Sequence, residues 1–145
     1  MSARRKARKR AIDILFGADV RETSLADALE SAREVASAEP ERASSWPYAQ
    51  QIVQGILAHL PEIDTAIRAA STSWPLERMP AVDRAVLRLG AWELLHNNEV
   101  PPAVAISESV ELVQELSTEA SGGFVHGVLR TIGENTGTGE ALPRQ

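Results

Sequence analysis

Few residues in this chain could do bond-making chemistry. Cysteine is absent, which excludes disulfides, thiolate metal sites and a cysteine nucleophile. His59, His96 and His126 are the only histidines, and no two of them have the i, i+4 spacing with which one helix face grips a metal ion; no metal site and no cofactor are expected. Glu108, Glu111 and Glu115 are spaced as a solvated helix face, and no glycine-rich nucleotide loop occurs. The residues therefore give no support to an enzyme.

The positive signal is ionic. The first ten residues, MSARRKARKR, carry Arg4, Arg5, Lys6, Arg8, Lys9 and Arg10 and no acid, six of the 15 basic side chains, leaving nine bases against 20 acids, a formal −11, in residues 11–145. Such an acidic body repels phosphate, so a nucleic acid would have to bind at the basic end. Arg4, Arg8 and Ala11 share one helical face, and Arg5, Lys9 and Ile12 the next, so the cations repel one another around the first turns. A polyanion would relieve that repulsion and release counterions, with affinity falling about 0.7 log units per log unit of salt for each phosphate neutralised on a single strand. A solvated arm with no ligand accounts for the same run.

The elements that must position these groups read as helices. With 145 residues, 43% apolar and 24% charged, the chain fits one soluble domain, expected over residues 1–136 with a disordered tail at 137–145. No apolar run reaches the roughly 20 residues of a membrane span, and no signal-peptide core follows the basic start; a cytoplasmic protein without membrane contact is expected. Strand alternation is missing, so the class is all-α. Helices are predicted at about Ala3 to Val20, from a Ser24 cap through Val35, at about Tyr48 to His59, from Pro61 past Ile67, over Pro80 to Leu95, along Ile106 to Leu116, and at about Phe124 to Glu134. The fifth, PAVDRAVLRLGAWELL, is apolar around most of its circumference and reads as the central helix. Ser121-Gly122-Gly123 reads as a turn.

Reading single-stranded RNA also needs stacking surfaces and groups for base edges. Phe124, after that turn and opening a helix, could expose its ring beside free backbone N–H groups; burial in the core is the ordinary fate of a phenylalanine. Phe16 lies on the apolar stripe of the first helix and reads as partly core, partly near the RNA. Trp74 and Trp92 read as packing anchors.

Three blocks together resemble the NusB family over nearly the whole chain. These are the arginine-rich helix ARRKARKRAIDILF; the central helix with its Val100-Pro101 loop and VAISESVELVQEL; and Phe124-Val125-His126-Gly127-Val128-Leu129, close to the family's Phe-Val-Asn-Gly-Val-Leu. The resemblance implies about seven helices in two small packed bundles, with the arginine-rich helix near the start of the last. It implies a transcription antitermination factor that binds the box A element of ribosomal RNA leaders together with the ribosomal protein NusE, and that joins other Nus factors on RNA polymerase.

Under that resemblance the RNA site comprises Arg4, Arg5, Lys6, Arg8, Lys9, Arg10, Phe16, Gly123, Phe124 and His126. Asp83, with Arg84 and Leu87 by adjacency, falls on the NusE-binding surface; Asp83 could equally serve only the helix dipole. The chain departs from the family at Ala120, Gly122, Gly123 and at His126, where Asn is usual; His126 either substitutes as a hydrogen-bond donor or is a plain surface histidine. NusB-like domains also open certain RNA cytosine methyltransferases, whose cysteine nucleophile this chain lacks. The rival reading is a helical protein-interaction adaptor or homodimer whose basic helix meets an acidic partner.

Overall fold

The computed structural model describes residues 2–136, and the expected tail at 137–145 lies outside the described residues. Among the described residues the chain is all-helical: α1 Ala3–Arg21, α2 Leu25–Ala38, α3 Trp46–Ala70, α4 Ala81–His96, α5 Pro102–Leu116 and α6 Glu119–Asn135, with short 3-10 turns at Pro40–Arg42 and Leu76–Arg78. There are six helices, not the expected seven or so. The predicted third and fourth are one helix, α3, with a break at His59 (φ −126°, ψ 20°). Pro61 has no N–H to offer the Leu57 carbonyl, which loosens this turn, yet helical geometry resumes directly after it.

Contacts divide the chain into two compact units, one through Ala58 and one from His59 onward. In the first unit, Ser2 caps α1 by accepting from the Arg5 N–H at 3.1 Å, so the basic run is helix from its start. Ala7, Ala11, Ile12 and Leu15 of α1 and Ile52, Val53 and Ile56 of α3 are buried. Ser24 caps α2 as expected, accepting from the Asp27 N–H at 3.0 Å. Of α2 only Leu29 is buried, and Val35, near its end, is exposed. The 3-10 turn at Pro40–Arg42 joins α2 towards α3, and α2 packs on α1.

In the second unit α4, α5 and α6 pack mutually. Val86, Leu87, Leu89 and Trp92 of α4 are buried with Ile106, Leu112 and Val113 of α5 and Val125, Leu129 and Ile132 of α6. The approach at Gly90 is close: a Cβ there would lie 2.6 Å from Leu129 Cδ1 and 2.7 Å from Ser109 Oγ. Arg88 grips Asp64 in a bidentate pair at 2.9 and 3.0 Å.

The Ser121-Gly122-Gly123 turn is also corrected. Thr118 caps α6, accepting from the Ser121 N–H at 3.1 Å, and the helix runs straight through both glycines. A Cβ at Gly122 would stand 2.5 Å from Nε2 of the exposed Gln114 side chain on α5, which would have to swing aside.

Candidate nucleic-acid interface

The basic stretch occupies the first two turns of α1, with no acid in the first turn. Six cations at the positive end of a helix are unfavourable, and the first unit offsets them with an aromatic ring and a rim of acids. The guanidinium carbons of Arg4 and Arg8 lie 4.2 Å and 5.7 Å from the centroid of the Tyr48 ring. Arg4 and Lys6 are exposed, while Arg5, Lys9 and Arg10 are half-buried. Arg8 departs from the others: it is 3% exposed, and serves the fold more than a ligand.

Arg10 sits among Asp13, Glu39, Glu41 and Arg42. Burial and then the Arg42 charge hold its guanidinium below the usual arginine range, against the pull of the three acids. Burial raises the Asp13 carboxyl above the ordinary aspartate range, despite nearby Arg42, Lys9 and Arg10. Arg42 is paired with Glu39. The basic helix therefore has a strongly cationic outer tip and a more neutral, groove-like side where α1 meets α2.

Phe16 is 37% exposed, so its ring reaches solvent from the edge of the α1 stripe. In the second unit, Phe124 is half-buried and packs edge-on against Trp74, with centroids 5.2 Å apart and planes at 61°. The expected phosphate cradle beside Phe124 does not form. Phe124 lies in the second turn of α6, where its N–H belongs to the helix, and the true start carries Glu119 and the Thr118 cap. Gly123 is exposed with open space around it. His126 is half-buried and lines a groove against Ile106, Val110 and Glu111 of α5. Two residues apart on a helix is about 200°, so Phe124 and His126 stand on opposite sides of α6 and do not form one patch.

On α4, Asp83 and Leu87 are both 0% exposed. The expectation that they present surface to a partner is corrected, because α4 is apolar around its circumference and its first turns are covered. Arg84 is half-buried and donates through Nη1 to the Leu76 and Met79 carbonyls at 3.0 Å each. Sequence reasoning missed Tyr48 and Trp74 as the rings that hold the basic helix and Phe124; each is far from its partner in sequence, so no local spacing signals the pairing. It also missed that His59 and His96 come together, with Glu62 between them.

The sequence profile of the NusB family matches residues 5–134. The transcription antitermination protein NusB of Leifsonia xyli subsp. xyli is 56% identical over 135 residues, 93% of this chain and 94% of that protein. A solution structure of NusB from Aquifex aeolicus superposes with a TM-score of 0.77 at 28% identity, covering 100% of this chain and 97% of the other. A crystal structure of antitermination factors NusB and NusE in complex with dsRNA superposes with a TM-score of 0.78 at 29% identity, covering 93% and 98%. With the basic capped helix, the apolar central helix and the Phe-Val-x-Gly-Val-Leu turn of α6 all in place, the chain belongs to the NusB family.

Proposed function

We propose that this protein is a transcription antitermination factor that binds box A RNA as a pair with NusE and helps assemble other Nus factors on RNA polymerase. The observation that carries the RNA half is the charge segregation: six cations on the first turns of α1, in a chain that is otherwise a formal −11. Arg4, Arg5, Lys6, Lys9 and Arg10 contact phosphates, and Arg8 holds the helix against Tyr48. Phe16 and Phe124 offer ring surface for bases, with Gly123 leaving room for a strand beside Phe124, and His126, on the opposite side of α6, offers a separate polar contact. The family likeness supports the pairing with NusE, which meets α4 near Arg84, with Asp83 and Leu87 shaping that helix from inside. The family likeness supports a protein that works in the cytoplasm and carries out no reaction of its own.

The test is a titration of a box A oligonucleotide and a scrambled control, each with and without NusE. Box A binding that NusE strengthens, with weak binding of the scrambled strand, is the expected result. Replacing Arg4, Arg5 and Arg10 by Gln should collapse RNA affinity and lower the salt slope by about 0.7 for each cation that contacts a phosphate, while NusE affinity persists. Equal binding of both strands, or no effect of NusE, overturns the reading.

A further inference from the structure

We propose that His59, Glu62 and His96 form a site for one divalent ion of the zinc class. His59 stands at the break in α3, Glu62 lies at i+3 from it, and His96 is the last residue of α4, all within the second unit. The imidazoles stack with centroids 3.8 Å apart and planes 14° from parallel. That stacking brings a nitrogen of each ring towards one carboxylate oxygen: Glu62 Oε1 is 2.9 Å from His96 Nε2 and 3.6 Å from His59 Nδ1. One ligand atom from each of the three lies within 4.8 Å of the other two.

Zinc bonds of about 2.0–2.2 Å set neighbouring ligand atoms of a tetrahedral site roughly 3.3 Å apart. The two separations at Glu62 bracket that spacing; because an imidazole nitrogen donates in its ring plane, binding one ion turns the two nearly parallel rings out of their stack. Two imidazole nitrogens and one carboxylate oxygen suit zinc and its neighbours in softness, whereas magnesium and calcium favour all-oxygen sets. All three side chains are partly exposed, which gives the ion an entry path and leaves a coordination position for water. The remaining acid of this stretch, Asp64, is committed to Arg88 through both oxygens. The ion would clip the break of α3 to the end of α4. The competing account is a hydrogen-bonded trio that holds no ion.

Zinc chloride titrated into the full chain, followed by calorimetry and by histidine ring NMR signals, separates the two. One ion per chain is expected, with the His59 and His96 ring signals moving together and that of His126 unmoved. His96→Gln and Glu62→Gln should each weaken binding by about tenfold or more, and His126→Gln should leave it unchanged. Absence of saturable binding, an equal response at His126, or full binding by a folded His96→Gln variant overturns the proposal. Should a variant fail to fold, the ring signals of the unmodified protein decide alone.

Discussion

The Arg4 guanidinium carbon stands 4.2 Å from the centroid of the Tyr48 ring, and that of Arg8, one turn later, stands 5.7 Å from the same centroid. One aromatic face at the start of α3 thereby holds two cations of one face of α1. This is why the basic run is ordered helix and not a loose arm. Like charges that would fray an isolated helix end are offset by a ring whose face is electronegative.

Tyr48→Ala should therefore cost about 1–3 kcal/mol of stability through the lost cation–π contacts and packing. RNA affinity should fall with it, because the cations no longer share one orientation, while the salt slope stays unchanged, since their number does. Tyr48→Phe keeps the ring face and should keep most of the RNA affinity. Urea denaturation and RNA titration at several salt concentrations read both effects; loss of affinity in the Phe variant equal to that in the Ala variant would assign the role to the hydroxyl.

The helical class, the Ser24 cap and the buried faces of α3, α4 and α6 were legible because each follows from local spacing. Glu22 ends α1 in the left-handed region (φ 56°), with its N–H reaching the Ala18 and Asp19 carbonyls, and nothing in its residue type announces this. The pair Gly122-Gly123 carries the usual mark of a turn, yet Thr118 caps α6 ahead of them and the helix runs through both, so context overrides a local signal. The same limit applies to the candidate site. The cations of α1 are contiguous and could be read directly, whereas Tyr48 beside Arg4, Trp74 beside Phe124 and His96 beside His59 are meetings of distant segments. Asp83 and Leu87 show the opposite failure: a resemblance transfers a position, and only packing reveals that both are enclosed.

Glu22→Gly should stabilise the protein by about 0.5–1 kcal/mol, since glycine adopts the left-handed conformation without the steric cost that a Cβ imposes. Thermal unfolding checks it. A lower midpoint would mean that the glutamate side chain contributes more than its backbone strain costs.

Two glycine substitutions separate helix propensity from packing. Gly127 in α6 is exposed, and a Cβ there meets nothing within 4 Å, so Gly127→Ala should gain about 0.5–1 kcal/mol. Gly90→Ala gains the same propensity but drives a methyl group to 2.6 Å from Leu129 Cδ1 and 2.7 Å from Ser109 Oγ. Overpacking wins there, and a net loss of about 1–3 kcal/mol is expected. Chemical denaturation of both variants decides it, and a stabilised Gly90→Ala protein would show that α4 is not held so close to its neighbours.

Asp83 stands in the first turn of α4 with neither carboxylate oxygen exposed or hydrogen-bonded among the described residues. The positive end of the helix favours its charge by at most about 2 kcal/mol, whereas stripping a carboxylate of water without a partner costs several. Desolvation is therefore the larger effect. Asp83→Asn, which removes the charge at nearly constant volume, should raise the unfolding free energy by about 1 kcal/mol at neutral pH, measured by urea denaturation. NusE binding by the same variant should be unchanged, because an enclosed side chain makes no contact with a partner. A destabilised variant would mean that the carboxylate has a donor this arrangement does not supply, and a weakened NusE complex would mean that the first turn of α4 opens when the partner binds.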